Sequence, residues 1–255
     1  MKKKLLLLTA LYFSALGNAQ SQNRLTSNPA KVAPGQPAAQ SGKAADKAGR
    51  DTTASLAPYF TQATALTNTP DAEGFIRRWL LLEPINKPNR SNTVFTDSYL
   101  RDTFTTTYFP NQFTTIPKNG DKVKVDSQEL TWHALESSNF NVKLFRFASG
   151  LKKNTYGVLF WAVTIVNSPR EVKNVRMAAG SNSGSMWWLN GREAVLLSGD
   201  RRMVMDDCVS PRLTINKGKN IIRGAVINGP GMSDFCIRFI DEKGMPVKDL
   251  TISYK

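Results

Sequence analysis

Val158-Leu159-Phe160-Trp161-Ala162-Val163-Thr164-Ile165-Val166 is a nine-residue run with one polar side chain. β-branched and aromatic residues dominate it and no face is polar, so it reads as a strand buried on both sides. Such a strand belongs in the middle of a sheet that is covered above and below. Asp234-Phe235-Cys236-Ile237-Arg238-Phe239 alternates instead, with Phe235, Ile237 and Phe239 on one face and Cys236 and Arg238 on the other, the pattern of a half-buried strand. Working outward from these two, strands are expected over residues 78–85, 129–135, 142–147, 156–166, 172–179, 185–189, 193–197, 213–215, 221–228, 234–241 and 247–252. Turn signals separate them at Asn190-Gly191, Ser198-Gly199-Asp200, Asn216 to Gly218, Asn228 to Gly231 and Glu242 to Gly244. Many short strands without a long 3.6-residue period predict an all-β, antiparallel β-sandwich. Thr96 to Thr103 reads as a helix, capped by Thr96 or Asp97, with Tyr99, Leu100 and Phe104 turned inward. The stretch from Asn86 to Gly120 is then a long covering loop, its Phe104 to Ile116 part lying over the outer side of the 158–166 strand.

The chain before this domain has a different character. Residues 1–19 carry Lys2, Lys3 and Lys4, an apolar stretch and a Gly17-Asn18-Ala19 end, which is the pattern of a cleaved signal peptide. Residues 20–57 contain 23 Ala, Pro, Gly, Ser or Gln among 38 positions and no aromatic residue, a composition that cannot offset the entropy of ordering. They are expected to form a disordered tether, followed by one β-sandwich domain over 58–255. The predicted location is periplasmic or secreted, with no lipid anchor because no Cys lies near the cleavage site, and with no membrane insertion. The formal charge of +14 falls to +11 without residues 1–19 (31 basic against 20 acidic) and to +8 over 58–255 (26 against 18). No nucleic-acid motif accompanies this excess, so an acidic glycan or plain solubility accounts for it better.

Catalytic chemistry is constrained by a single His. Any Ser-His-Asp or Cys-His mechanism must run through His133, and no His-rich metal cluster can form. Gly180-Ser181-Asn182-Ser183-Gly184 has Asn where a nucleophile elbow needs Ser, and it leads into a strand, so neither residue nor context fits. Asp200, Asp206 and Asp207 share their segment with Arg201 and Arg202, and neither they nor Asp241 and Glu242 have calcium-loop spacing, which points to ion pairing more than to a carboxylate pair for glycoside cleavage. Cofactor and metal motifs are absent. Cys208 and Cys236, with 27 residues between them, are the candidates for a disulfide that would contribute about 3 to 4 kcal/mol; the alternative is two buried free thiols. In Met186-Trp187-Trp188-Leu189, alternation sends the two Trp to opposite faces. Trp188 either offers a flat ring to a sugar or packs under the covering loop.

The loop 180–184, the Trp188-Leu189-Asn190-Gly191-Arg192 strand end, Leu213 to Asn220, Phe235 to Phe239 and Asp241 to Gly244 together resemble the galactose-binding-like jelly-roll domain. Phe75 to Pro84 looks like its opening strand. The resemblance covers residues 75–252 and implies a β-sandwich of the kind attached to carbohydrate esterases and glycoside hydrolases, similar to stand-alone exported proteins labelled acetylxylan esterase-like. It implies a glycan-related role, and Asn182-Ser183 departs from the acidic pair usual in the family's loop. The function expected is therefore non-catalytic polysaccharide binding, or support of a partner glycan-degrading enzyme. Trp188, Arg192, Arg201 and Arg202 are the candidate carbohydrate contacts. An acetylxylan esterase-type deacetylase working through His133 and a protein-interaction domain are the alternatives.

Overall fold

A computed structural model describes residues 55–255. The expected signal peptide and all of the expected tether except Ser55, Leu56 and Ala57 lie outside the described residues. Of these, Leu56 packs against the core and its carbonyl accepts hydrogen bonds from Tyr59 and Phe60, while Ser55 and Ala57 are exposed.

In chain order the strands are β1 (Phe60–Gln62), β2 (Thr67–Asn68), β3 (Arg78–Leu82), β4 (Ile85–Asn86), β5 (Lys122–Val125), β6 (Gln128–Ser137), β7 (Val158–Ser168), β8 (Val172–Ser181), β9 (Gly184–Leu189), β10 (Arg192–Leu197), β11 (Cys208–Val209), β12 (Leu213–Ile215), β13 (Gly218–Asn228), β14 (Phe235–Ile240) and β15 (Thr251–Ser253). Helix α1 spans Asp97–Thr105 and α2 spans Leu144–Gly150. All pairings are antiparallel. One sheet runs β1-β6-β3-β7-β13-β9-β10, with β2, β4, β5 and β15 attached; the other is built on β8, which pairs with β11, β12 and β14. The protein is an antiparallel β-sandwich, as the sequence predicts.

β7 shows why. Val158, Phe160, Ala162 and Val166 enter the core between the two sheets, while Leu159, Trp161 and Val163 enter a second core on the outer face of the large sheet. Both cores are needed because the strand has no polar face to give to water. Trp79, Trp187 and Phe235 meet in the first core, with ring centroids 4.7 to 5.7 Å apart. The second core is closed by the covering segment: Phe95, Leu100, Phe104 and Phe109 come down from α1 and its flanks. The Thr96 side chain caps α1 by accepting from the Tyr99 N–H at 3.3 Å, and Leu100 and Phe104 share its buried face at i, i+4.

Two expected strands differ. Residues 142–147 form α2 apart from a single bridge of Val142 to Phe235. Leu144, Phe147 and Ala148 recur at i, i+3 and i+4 and bury as a helical stripe, a period the cluster of apolar residues conceals. Of 247–252, only the end joins β15. The sequence reading also passed over β5, although Lys122-Val123-Lys124-Val125 alternates and the Asp126-Ser127 turn follows it, with Asp126 at φ 50°.

The disulfide is not formed: Cys208 and Cys236 are free thiols. Ala179 of β8 pairs with Cys208 on one edge and Ile237 on the other, so the two cysteines lie on strands either side of β8, about 10 Å apart at two strand spacings. That exceeds the reach of a disulfide. They also face opposite ways, Cys208 toward the core and Cys236 toward Met203, whose Sδ lies 3.9 Å from its Sγ. Residues 203–204 cross β8 so closely that a Cβ on Gly180 would meet the Val204 carbonyl oxygen at 2.0 Å.

Burial pushes the Cys236 thiol up from 9.0 to about 12. Between these values the unfolded chain has lost the proton and the folded one still holds it. The stability this thiol contributes is therefore present below pH 9 and is lost as pH rises toward 12, at up to about 1.4 kcal/mol per pH unit. Urea unfolding at pH 8, 9.5 and 11 is expected to show a steeper alkaline decline for the wild type than for Cys236→Ala. Equal slopes would assign the decline to other groups.

Candidate functional site

The outer face of the large sheet carries a row of residues fixed by register: Trp188 of β9 pairs with Arg223 of β13, and Arg223 with Val163 of β7. Arg223 interrupts Ile221-Ile222-Arg223-Gly224-Ala225-Val226, a strand otherwise apolar on both faces. It is only 6 % exposed. Its Nη2 donates to the Thr114 and Thr115 carbonyls of the covering segment at 2.9 and 3.1 Å. Nε is buried without a partner, and among the described residues no carboxylate forms an ion pair with Arg223. Burial holds this guanidinium below its ordinary value.

Aromatic rings surround this row. Trp161 and Trp188 stack with centroids 5.8 Å apart and planes 11° from parallel. Phe113 of the covering segment stands edge-on to both, at 5.6 and 6.1 Å, and Phe109 stands edge-on to Trp132 and Trp161. Gln112 braces the segment by accepting from the Tyr108 N–H at 2.8 Å and donating to the Thr106 carbonyl at 2.9 Å. The segment therefore bridges the face with an opening on each side. One cleft, of about 280 Å³, is lined by Thr105, Phe113, Trp188, Gly191 and Arg223. The other, of about 260 Å³, has Phe109, Trp132 and Val163 in its walls with Asn111, Asp121 and Lys122 among its polar groups.

The four candidate contacts do not form one surface. Trp188 is 8 % exposed and lies under the covering segment, reaching the first cleft with what remains of its ring. Arg192 is exposed and follows Gly191 at the rim of the same cleft. Arg201 and Arg202 come after the other end of β10. Glu193, which pairs with Trp188, and Ser198 are five residues apart along that strand, about 17 Å. Arg201 donates to the Ser198 carbonyl at 2.9 Å and pairs with Asp207, and Arg202 is exposed. Arg223 is the cleft residue the sequence reading missed, and its signal was a lone cation inside a doubly apolar strand.

The other polar candidates have structural partners. Asp206 holds Arg238, whose Nε lies 3.0 and 3.1 Å from its two carboxylate oxygens, and Asp200 accepts from Asn92 at 2.8 Å. Asp241 accepts from the backbone N–H groups of Lys243 and Met245, and Glu242 faces Arg212 at 3.7 Å. In the 180–184 loop, Ser181 and Ser183 turn inward, and Ser183 Oγ lies 3.0 Å from Asn228 Oδ1. His133 Nε2 lies 3.4 Å from Glu83 Oε1, with its ring edge-on to Phe147, and Lys153 Nζ is 3.1 Å from the same carboxylate. Among the described residues no serine or cysteine hydrogen-bonds this imidazole, and no group of three or more His, Cys, Asp or Glu side chains converges as a metal site. No described helix is long and apolar enough to cross a membrane.

No family model matches the sequence, and no curated protein matches it. Among solved structures the chain is similar to a β-glucosidase from Kluyveromyces marxianus, at 18% identity and a TM-score of 0.35 over 51% of this chain and 16% of that one. It is similar to a PA14 sugar-binding domain from an RTX adhesin, at 10% identity and a TM-score of 0.37 over 69% and 96%. The PA14 domain of the MpAFP antifreeze protein gives 12% identity and a TM-score of 0.38 over 73% and 94%. The chain thus spans about one sixth of the β-glucosidase's length. At these scores the β-sandwich assignment rests on the strand pairing of this chain itself.

Proposed function

We propose that this chain is an exported, non-catalytic, carbohydrate-associated module that binds polysaccharide or supports a partner glycan-degrading enzyme. The supporting observation is the pair of clefts beside the covering segment. Each is sized for a small ring, each has aromatic walls that can meet the C–H face of a pyranose, and each carries a few polar groups able to fix hydroxyls. The wild type is expected to be retarded on at least one of xylan, pectin and galactan in affinity gels. Trp188→Ala, with folding checked by circular dichroism, is expected to reduce that retardation. Absence of retardation on all three overturns the binding reading, and unchanged retardation of Trp188→Ala removes the Trp188 cleft from it. Acetate release from acetylated xylan that disappears in His133→Ala would replace it with a deacetylase. Capture of a co-exported enzyme by a protein without glycan affinity would replace it with a protein-interaction role.

A further inference from the structure

We propose that the cleft at Trp188 and Arg223 receives the anionic group of an acidic sugar, a uronate carboxylate or a sulfate ester, with the sugar ring against the aromatic edges. This rests on the carbohydrate-binding reading. Two arginines among the described residues are buried, Arg78 and Arg223. Arg78 has a carboxylate, with Nη2 2.8 Å and Nε 3.3 Å from Glu136 Oε2, and its Nη1 donates to the Ala65 carbonyl at 2.8 Å. Arg238 and Arg201, which are less buried, pair with Asp206 and Asp207. Arg223 has two carbonyls on one nitrogen and, unlike these three, no neutralising carboxylate; its Nε is unpartnered, as is that of Arg201.

An uncompensated buried cation is costly, and a covering segment could be held by a neutral donor at no such cost. Clamping Thr114 and Thr115 therefore accounts for two hydrogen bonds but not for the charge or the open cleft beside them. Nε has no exposed surface and Nη2 is taken by the two carbonyls, so an anion entering that cleft would meet the guanidinium at Nη1, a charged donor already partly desolvated. Arg192 at the rim and the net charge of +8 over residues 58–255 would draw a polyanion toward it.

Polygalacturonate and its fully methyl-esterified form present the same backbone with and without charge, and dextran sulfate and dextran do so for sulfate. Titration calorimetry of the purified full-length protein is expected to show at least one charged polymer bound about tenfold or more tighter than its neutral counterpart, the scale of one charged hydrogen-bond pair. Preference for polygalacturonate identifies the carboxylate, and preference for dextran sulfate the sulfate ester. Arg223→Gln should erase the preference and Arg223→Lys should keep part of it. Arg223→Gln also alters the clamp on the covering segment, so Thr105→Trp serves as a second variant, since it fills the cleft from the rim and leaves the guanidinium in place. Equal affinity for charged and neutral polymers overturns this inference while leaving carbohydrate binding intact. A charge preference that survives Arg223→Gln and Thr105→Trp overturns it as well. No binding of any polymer here, or of xylan and galactan, overturns both.

Discussion

Gly224→Ala is expected to lower the thermal midpoint by about 6 to 12 °C, a loss of roughly 3 kcal/mol. A methyl group at this position would lie 2.1, 2.3 and 2.6 Å from Cζ3, Cε3 and Cη2 of Trp187. The indole cannot retreat. Phe235 is 4.7 Å away on one side and Trp79 5.7 Å on another, and its Nε1 is tied to Ser185 Oγ at 3.1 Å. The backbone cannot shift easily either, because β13 pairs with β7 across all of its eleven residues and with β9 on its other edge. The mechanism is tested by a double-mutant cycle. Trp187→Ala alone should cost about 3 to 5 kcal/mol, and adding Gly224→Ala to it should cost far less than Gly224→Ala does in the wild type, because the clash has gone. If the two losses simply add, the ring is not what excludes the methyl.

The second large effect concerns Arg78→Met, expected to cost about 3 to 5 kcal/mol. Arg78 is 3 % exposed and joins Glu136 of β6 to the Ala65 carbonyl. Glu136 in turn accepts from the Asn68 side chain of β2. Removing the guanidinium strands a carboxylate that is itself mostly out of water, and most of the loss comes from that stranded charge. The prediction separates charge from packing: adding Glu136→Gln to Arg78→Met should restore a substantial part of the stability, measured by urea unfolding. A double variant no more stable than Arg78→Met alone would assign the cost to lost contacts of the arginine stem.

Different parts of this molecule were legible to different degrees, for physical reasons. β7 could be read because a strand buried on both faces has a composition nothing else in the chain shares, and the need for a cover over Trp161 followed from it. α1 could be read because its cap is a local signal. α2 could not, since four apolar residues within 144–148 fit either period and the choice was made by how Leu144, Phe147 and Ala148 meet the core. At the candidate site, alternation correctly sent Trp187 and Trp188 to opposite faces. It could not say that Phe113 would lie across Trp188, because that contact joins residues 75 positions apart. The arginines near Trp188 in sequence were the wrong ones for the same reason. Arg201 and Arg202 are close along the chain and distant along β10, whereas Arg223 is 35 positions away and is brought alongside by strand pairing.

The stacked indoles of Trp161 and Trp188 also make the cleft optically visible. Two indoles with centroids 5.8 Å apart couple their transitions, as Trp79 and Trp187 do at 5.7 Å, so the near-ultraviolet circular dichroism of the folded protein should carry contributions from both pairs. Trp188 reaches the cleft and Trp161 does not line it, so an occupant would perturb one member of the pair. The change in that spectrum on adding a polymer is a built-in, label-free gauge of occupancy, because only one of the two pairs reaches the cleft.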